Sequence, residues 1–452
     1  MKRDPASIEG REHDVLVVGG GIAGAWLVWE AASRGLNAAL IESADFGQAT
    51  SWSSLKTAHG GLRHLQRLDF LGFRESVHER RALLRVAPEI VRPLTFAIPA
   101  DALADRVKYF LGGVVNDGLS FDRNEGVRSD RRIGSSRFLS ADELAEIAPA
   151  GPGWNRAFLW YDAQIAWTER LLMALLHAAN GAGAALLNHC ILETATPQAA
   201  GFDLIARDHA SGRSLKFRAK AVVNAAGSQI ESVARLFGGS CGVLPQIRGV
   251  NVVLGRDITP GVALGARDLG RFLFLSPWNG HSILGTAYDD GARSLEALVG
   301  DLIEGARRAF PWAEISARDT RVVHSGHVPG ESGEPIYRSR IIAHANRRLL
   351  SIVTAKYTTA RATAEAAVDR VGAALGVCLQ PSRSATTELP LARPLGGSLQ
   401  SQMSAARDDE MATEEGDAVR GRLEIGARGA SELERRIVAE AGEALWSSRP
   451  ER

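Results

Sequence analysis

The clearest hydrophobic pattern of the chain lies near its beginning. Residues 14–18 form a short apolar run followed by glycines, which is typical of a buried parallel strand that enters a tight turn. Residues 22–34 then carry a helical pattern, Gly35 ends that helix, and residues 37–42 predict a second strand whose last residue is acidic. The start of the chain therefore predicts a strand–helix–strand unit.

Helical patterns and strand patterns both occur further along the chain. Alternating positions over residues 248–288 predict antiparallel strands, whereas residues 101–150 are mixed and polar with helical stretches. Further helices are predicted over residues 74–87, 165–180 and 357–375. Further strands are predicted near residues 185–195, 202–207, 214–218, 220–224 and 348–353, with a hairpin turn at 211–213. Since strand–helix pieces flank an antiparallel block, we expect an α/β fold. It combines a discontinuous Rossmann-like domain, an inserted and mainly antiparallel α+β domain, and a short helical C-terminal tail.

The bulk composition narrows the class of protein. A chain of 452 residues is too long for one simple core, so two or three domains are expected. The net charge of +1 offers no basic field for nucleic acid, and no apolar run predicts a transmembrane helix. The N-terminus lacks the apolar core of a secretory signal, and Cys190, Cys241 and Cys378 form no disulfide framework or zinc motif. We therefore expect a cytoplasmic protein without a metal site.

The first turn carries a phosphate-binding pattern. Gly19, Gly21 and Gly24 form GxGxxG between the first strand and the first helix. In such a motif the glycines allow a tight turn, close approach of a pyrophosphate and close packing of helix on strand, and the helix N-terminus attracts the phosphates. Glu42 ends the second strand, where a carboxylate can bind both ribose hydroxyls and would repel the 2′-phosphate of NADP. The sequence thus predicts a dinucleotide site.

Several ordered strings resemble one family. Over roughly residues 12–380 the chain is similar to the FAD-dependent glycerol-3-phosphate dehydrogenases, within the D-amino-acid-oxidase-like flavoproteins. The strings are ATSWSSLKTAHGGLR (49–63), PEIVRPL (88–94), YDAQIAWTERL (161–171), VVNAAG (222–227), LFLSPWNGHSILGT (273–286) and LSIVTAKYTTAR (350–361). The resemblance implies non-covalent FAD as the cofactor and a discontinuous FAD-binding domain.

The resemblance also implies an order of domains. We expect FAD-binding segments and substrate-domain segments to alternate, followed by part of the family's C-terminal helical region. The FAD-binding segments are residues 12–90, 161–245 and 321–380, the substrate or cap segments are residues 91–160 and 246–320, and the helical region is residues 381–452.

Hydroxyls and glycines in these strings suit the parts of FAD. Thr50, Ser51 and Ser54 can bond ribityl and pyrophosphate oxygens, and Gly60 and Gly61 let backbone lie flat beside the isoalloxazine ring. The predicted cofactor-binding set is Gly19, Gly20, Gly21, Ile22, Ala23, Gly24, Glu42, Ser43, Thr50, Ser51, Ser54, His59, Gly60, Gly61, Leu62, Ala225, Gly227, Lys356, Tyr357 and Thr358. Within that set, His59 is either a donor to the flavin or a packed structural histidine.

Lys356 is expected to act on the charge of the reduced flavin. It precedes a helix predicted to begin near Tyr357 and Thr358, and a lysine beside a positive helix end would stabilise negative charge at the flavin N1–C2 edge. The family's GGK reads Thr354-Ala355-Lys356 here, so two glycines have gained side chains.

The substrate side departs from the family's pattern. Arg63 matches the arginine that faces substrate, but His64 stands where a tyrosine is usual. Val328 takes the place of the family's second substrate arginine, with His327 before it, and Asn251 replaces a histidine that could handle a proton. The predicted catalytic residues are Arg63, His64, His327 and Lys356.

Three functions follow from this pattern. The first is an FAD-dependent, glycerol-3-phosphate dehydrogenase-like enzyme that oxidises a small anionic alcohol by hydride transfer. The second is an FAD-dependent amino-acid or amine oxidase or dehydrogenase, since Arg63 could bind a carboxylate instead. The third is an FAD-binding accessory protein without turnover. The electron acceptor is open between a quinone, oxygen and another protein, and a quinone would favour peripheral contact with the inner face of the membrane.

Overall fold

The structure, a computed structural model, describes residues 1–148, 153–242, 244–331, 333–391, 393–423 and 425–446. Within these ranges the strands are β1 (Glu12–Val18), β2 (Ala38–Ile41), β3 (Thr57–Ala58), β4 (Val91–Pro99), β5 (Arg137–Ser140), β6 (Arg156–Ile165), β7 (Ala185–Leu187), β8 (Cys190–Gln198), β9 (Gly201–Asp208), β10 (Ser214–Asn224), β11 (Gln246–Leu254), β12 (Val262–Asp268), β13 (Arg271–Trp278), β14 (His281–Asp289), β15 (Thr320–Glu331), β16 (Glu334–Pro335), β17 (Arg340–Ala343) and β18 (Leu349–Val353).

The helices of the same ranges are α1 (Ile22–Ser33), α2 (Leu62–Gln66), α3 (Phe70–Val86), α4 (Leu103–Leu119), α5 (Ala141–Ile147), α6 (Thr168–Gly181), α7 (Ile230–Leu236), α8 (Leu295–Ala309), α9 (Ala360–Leu375), α10 (Leu399–Asp409), α11 (Glu415–Gly421), α12 (Ile425–Arg428) and α13 (Glu432–Trp446). None of them is both long enough and apolar enough to cross a membrane.

The first of two compact units contains residues 1–52, 167–246 and 327–452. Its sheet has the order β17-β18-β10-β1-β2-β7, with parallel pairing from β18 to β7, and β9 and β8 extend it by antiparallel pairing. The apolar run of β1 and the wholly buried β2 and β18 fit strands covered on both faces. Helix α1 is buried along most of its length because α6 and α9 pack against it.

The second unit contains residues 53–166 and 247–326. Its sheet has the order β11-β14-β13-β12-β4-β6-β3, with β5 beside β6 and β15 beside β11. Apart from the parallel pair β12–β4, the pairings that define this sheet are antiparallel. Helix α8 covers one face with buried aliphatic residues, including Leu298, Leu302 and Ala306, and so closes a core against β12, β13 and β14.

The C-terminal helices of the first unit have a small core of their own. Residues of α10, α11 and α13 bury Met403, Ala406, Ala418 and Val438 together. Buried ion pairs join this group to α6 and to the segment after β2. The C-terminal region is therefore an integral part of the first unit.

The mixed α/β class predicted from the sequence is confirmed, with differences in detail. The helix expected from residue 165 begins at Thr168, because β6 continues to Ile165, and neither β6 nor β4 was predicted. The strand expected at 185–195 divides at residues 188–189, where His189 has a positive φ of 49°. The helix expected from residue 357 begins only at Ala360, since residues 357–359 form a bend and a turn. The six functional segments of the predicted domain order stay a prediction.

Candidate functional site

The glycine loop of the first unit has the shape that a dinucleotide requires. Gly19 has φ +110°, which side chains rarely adopt, and a side chain on Gly24 would overlap the Gly19 carbonyl oxygen. At Gly21, by contrast, an added Cβ would meet only the Ser51 hydroxyl, at 3.1 Å. Helix α1 therefore begins at Ile22 behind a residue that offers neither bulk nor a capping side chain, so that a phosphate can approach its positive end beside the Ser51 hydroxyl.

The acid after β2 is held against this loop. Glu42 Oε2 accepts a hydrogen bond from the Gly20 amide at 2.6 Å, and Oε1 accepts from the Ser43 hydroxyl at 3.0 Å and from the Ala44 amide at 2.8 Å. Oε2 accepts one hydrogen bond and therefore keeps a lone pair for a ribose hydroxyl, whereas Oε1 already accepts two. The position agrees with the predicted role in ribose binding, which stays a prediction.

The predicted adenine-side segment lies beside the same loop. The Ala225 amide donates to the Val18 carbonyl at 2.8 Å, and a Cβ on Gly19 would approach the Ala225 carbonyl oxygen to 2.6 Å. Gly227 follows with φ +56° and starts a short 3₁₀ helix. The parallel pairing of β1 with β10 therefore brings these predicted residues together.

Residues 50 and 51 connect further predicted positions within the first unit. The Ser51 hydroxyl accepts a hydrogen bond from the Ile22 amide at 2.9 Å, at the start of α1. The Thr50 hydroxyl donates to the carbonyl of His327 at 2.7 Å, and the His327 side chain is exposed. The exposed Ser43 directly follows Glu42, and the half-buried Ala23 is the second residue of α1.

The segment that carries Lys356 offers polar groups next to a helix start. Lys356 is half-buried, and the Thr354 hydroxyl is buried without a hydrogen-bond partner among the described residues. Helix α9 begins with Thr359 as N-cap, whose side chain makes no cap hydrogen bond. An orphaned hydroxyl and an uncapped helix end fit a bound polar group, as the FAD edge would provide.

The other two predicted residues of this segment point into the unit. The Tyr357 hydroxyl donates to the Thr168 carbonyl at 3.0 Å, and burial raises the Tyr357 pKa well above its usual value. Thr358 is 3% exposed.

In the second unit, His59 is oriented by a buried charge pair. His59 Nδ1 lies 3.2 Å from Asp162 Oδ2, and Arg80 Nη1 donates to Asp162 Oδ1 at 2.7 Å. Burial opposes ionisation of Asp162, but the hydrogen bond from His59 and the charge of Arg80 hold its pKa below the usual value. When Nδ1–H is donated to this carboxylate, Nε2 is the acceptor, and the side chain is 48% exposed.

The glycines after His59 are explained by packing inside the second unit. The Gly60 amide donates to Asp162 Oδ1 at 2.5 Å, and a side chain on Gly60 would overlap the Arg80 guanidinium. Gly61 has φ +92°, and an added Cβ would lie 2.9 Å from Ser76 Cβ. Leu62 packs against an aromatic cluster, and the Ser54 hydroxyl lies 3.4 Å from the Lys56 amide.

The two predicted catalytic residues on α2 differ in environment. Arg63 is exposed, whereas His64 is 2% exposed and its Nδ1 lies 2.8 Å from Asp69 Oδ2. Asp69 also caps α3 through the Gly72 amide at 3.0 Å. His64 therefore links α2 to α3, and its catalytic role stays a prediction.

Asn251 is engaged at both ends of its side chain. It occupies a bulge of β11, its Oδ1 accepts from the Thr286 hydroxyl at 2.7 Å, and its Nδ2 lies 3.5 Å from the Ser53 carbonyl oxygen. Lys56 is fully buried in the same unit with Nζ 5.5 Å from the Trp278 ring centre. Val328, in the place of the family's second arginine, is half-buried in β15.

Sequence reasoning overlooked Asp162 and Arg80. Asp162 stands inside the string YDAQIAWTERL, and an acid within an otherwise buried run was the available signal. Arg80 lies on α3, where ten of the residues are buried, and the helical pattern over 74–87 gave no reason to single it out. Neither pattern shows the pairing with His59.

Comparison with known proteins agrees with this geometry. Residues 14–370 match the family model described as FAD dependent oxidoreductase. A glycerol-3-phosphate dehydrogenase of Synechocystis sp. is 30% identical over 437 residues, covering 89% of this chain and 77% of that protein. A probable mitochondrial glycerol-3-phosphate dehydrogenase of Caenorhabditis elegans is 31% identical over 392 residues, covering 80% of this chain and 53% of that protein. The chain thus spans about half the length of the nematode relative.

Solved structures share the fold. The glycerol-3-phosphate dehydrogenase from Bacillus halodurans complexed with FAD has a TM-score of 0.66 at 21% identity and covers 98% of this chain and 80% of its own. Glycine oxidase from Geobacillus kaustophilus has a TM-score of 0.55 at 21% identity and covers 85% of this chain and 100% of its own. Together with the open glycine loop, these findings confirm the predicted cofactor. The chain belongs to the FAD-dependent oxidoreductase family and, with FAD as cofactor, is an oxidoreductase similar to the glycerol-3-phosphate dehydrogenases.

Proposed function

We propose that this protein oxidises a small anionic alcohol and passes the hydride to FAD. The observation that carries the proposal is the contact of His59, the first residue of the HGGLR segment (59–63), with the Asp162–Arg80 pair, together with the exposed Arg63 at the end of that segment. A histidine oriented by an ionised carboxylate is suited to accept a hydroxyl proton, and an exposed guanidinium is suited to bind an anion. His59 as the proposed base and Arg63 as the proposed anion-binding residue then come from one segment.

In this proposal each group has one task. Bound FAD supplies the hydride acceptor. Nε2 of His59 takes the hydroxyl proton as the adjacent C–H bond gives up its hydride, so that an alcohol becomes a carbonyl. Lys356, with the start of α9, stabilises the negative charge that reduction brings to the cofactor. His64 and His327 are left as weaker alternatives, because the first is buried against Asp69 and the second is exposed on β15.

The substrate is proposed to carry one anionic group, most readily a carboxylate. A phosphate dianion in a partly dry pocket needs more than one strong donor. Val328 cannot replace the second arginine, and Asn251 already has both ends engaged. Glycerol 3-phosphate is therefore expected to be a poor substrate, and hydroxy acids are expected to be better substrates.

Two other functions stay open to the same test. Arg63 could bind the carboxylate of an amino acid, in which case the chain is an amine or amino-acid oxidase of the fold that glycine oxidase shares. The four altered motifs also allow an accessory FAD protein without turnover. Anaerobic mixing of the yellow protein with hydroxy acids, amino acids and polyol phosphates separates the three. We expect bleaching by a hydroxy acid; fastest bleaching by an amino acid favours the oxidase, and no bleaching favours the accessory protein.

We further propose a quinone as electron acceptor, reached by peripheral contact with the inner face of the membrane. The supporting observation is α4, whose apolar side chains point to solvent along one stripe, namely Leu103, Val107, Phe110, Leu111 and Val114. Such an exposed helical stripe is suited to lie in a lipid interface. The double variant Val107→Ser/Phe110→Ser should lower cosedimentation with anionic vesicles and leave flavin bleaching by substrate unchanged. Equal cosedimentation of both proteins would contradict the membrane contact.

A further inference from the structure

Two buried ion pairs run in series through the C-terminal region of the first unit. Arg170 on α6 donates both Nη1 and Nη2 to Glu410, at 2.7 and 2.8 Å. Arg422 donates Nη1 and Nη2 to Asp45 at 2.7 and 2.8 Å, and its Nε donates to the Glu410 carbonyl at 2.9 Å. The Asp45 and Arg422 side chains are 1% and 0% exposed, and those of Arg170 and Glu410 are each 3% exposed. Paired guanidinium donors of this kind fix position as well as charge.

The Asp45 end of this series belongs to the segment that supports the glycine loop. The Gly47 amide donates to the Gly20 carbonyl at 3.1 Å, and an added Cβ on Gly20 would lie 2.7 Å from the Phe46 ring. Asn188 Nδ2 donates to Asp45 Oδ1 at 2.9 Å, so the carboxylate is held from two sides. The chain of contacts therefore runs from Arg422 through Asp45 and its neighbours to the loop that precedes α1.

The opposite face of the segment is in equally close contact with the C-terminal helices. An added Cβ on Gly421 would lie 2.7 Å from Asp45 Oδ2, which means that α11 approaches the carboxylate at backbone distance. His189 Nε2 lies 2.9 Å from Asp417 Oδ2 beside the same cluster. Segment 45–47 is thus enclosed between the glycine loop and α11.

From this arrangement we propose that the C-terminal region retains FAD, and that Arg422 is a positioning residue for the phosphate-binding loop. Arg422 itself is buried and bonds to Asp45 and the Glu410 carbonyl, not to the glycine loop. It fixes Asp45, which keeps Phe46 and Gly47 against Gly20, so that the loop amides stay in the geometry that a pyrophosphate requires. The proposal concerns FAD affinity and is independent of which substrate the protein oxidises.

The alternative is that these pairs stabilise the fold and nothing more. Arg170 provides the matched control, because its pair is as buried and as doubly hydrogen-bonded as that of Arg422 but ends on Glu410 and not on segment 45–47. A lysine keeps the charge and loses the double hydrogen bond. Arg422→Lys and Arg170→Lys should therefore lower the unfolding temperature alike and differ in FAD affinity.

The first measurement heats the holoprotein and follows cofactor release by flavin fluorescence and unfolding by far-ultraviolet circular dichroism. The second measures the FAD dissociation constant by ultrafiltration. We expect Arg422→Lys to raise that constant by about tenfold or more and to release flavin well below unfolding, whereas Arg170→Lys stays within about twofold of the parent. Asp45→Asn should match Arg422→Lys, and the double variant should lose no more than either single one, because all three break the same pair.

Two results would overturn the proposal. One is an FAD dissociation constant unchanged in Arg422→Lys and in Asp45→Asn. The other is an equal rise in Arg170→Lys, which would show that FAD is lost through general loosening of the C-terminal region. If Arg422→Lys fails to fold, Asp45→Asn against Arg170→Lys decides the question in the same way.

Discussion

The glycine loop of the first unit and the HGGLR segment of the second are both glycine-rich, yet Gly21 of the loop differs from Gly60 and Gly61 of the segment. At Gly21 the space that a side chain would fill is left open by the protein, apart from the Ser51 hydroxyl. At Gly60 the corresponding space is taken by Arg80 and Asp162, and at Gly61 it is taken by Ser76. A glycine in a motif is therefore evidence for a ligand only where the protein leaves its side-chain space unused.

Substitutions at Gly21 and at Gly60 should therefore have different effects. A side chain at Gly21 should act on the cofactor, whereas a side chain at Gly60 should act on the protein by displacing the Arg80–Asp162 pair.

The largest expected effect is that of Gly21→Val. Because the protein leaves room at this position, the variant should fold and yet lose its FAD, since a branched side chain fills the space that the pyrophosphate needs. Flavin absorbance and circular dichroism of the purified protein measure the two quantities. Gly300→Val, at a position with nothing within 4 Å, is the control and should stay yellow. A yellow Gly21→Val protein would show that the open space is not a phosphate site.

The next effect concerns the charge formed on reduction. Lys356→Met should slow flavin reduction by about 10²- to 10³-fold, the usual cost of losing one group that stabilises developing charge. FAD content should change little, because the group acts mainly after binding. Stopped-flow bleaching measures the rate, with Lys216→Met at an exposed position as the control. An unchanged rate would show that Lys356 only stabilises the turn in which it lies.

His59→Gln tests the proton acceptor. We expect flavin reduction to slow by about 10²-fold with little change in FAD content, which is typical of losing a general base. His64→Gln should instead lower the unfolding temperature more than the rate, because His64 is buried against Asp69. The opposite ranking of the two variants would move the base from His59 to His64.

A smaller effect should appear in the pH dependence of stability. Although burial opposes ionisation of Glu410, hydrogen bonds from His177 and Arg170 lower its pKa to about 2 from a usual 4.5. A lowered pKa stabilises the folded state above pH 4.5, and this contribution, on the order of 3 kcal/mol, is lost as the pH falls towards 2. Glu410→Gln should therefore unfold at lower temperature than the parent at pH 7, and the difference should shrink below pH 4.5. A difference that is constant with pH would contradict the ionised pair.

The sequence predicted the structural elements whose formation depends on residues that are neighbours along the chain. The strand–turn–helix around Gly19 and the antiparallel block over 248–288 follow from local periodicity, and the structure has both. Strands β4 and β6 were not predicted. Pro93 and Pro99 interrupt the strand pattern of β4, and the apolar run of β6 cannot be assigned from period alone.

Pairings between distant residues could not be predicted in this way. His59 meets Asp162 across 103 residues, and Arg422 meets Asp45 across 377. Each partner is an ordinary polar residue in its own segment, and only the folded chain gives the pair its buried position. The resemblance identified the family and its FAD cofactor, whereas the individual cofactor and substrate residues that it implies stay predictions.

The central claim is that the FAD half of the site follows the family while the substrate half has changed. The most direct test measures kcat/KM for glycerol 3-phosphate beside a set of hydroxy acids, in the parent protein and in Val328→Arg. Losing one partner of a buried charged contact costs on the order of 2–5 kcal/mol, which corresponds to roughly thirtyfold or more. We therefore predict that glycerol 3-phosphate is at least that much poorer than the best hydroxy acid in the parent protein, and that Val328→Arg narrows the gap. Efficient turnover of glycerol 3-phosphate by the parent, unaffected by Val328→Arg, would contradict the claim.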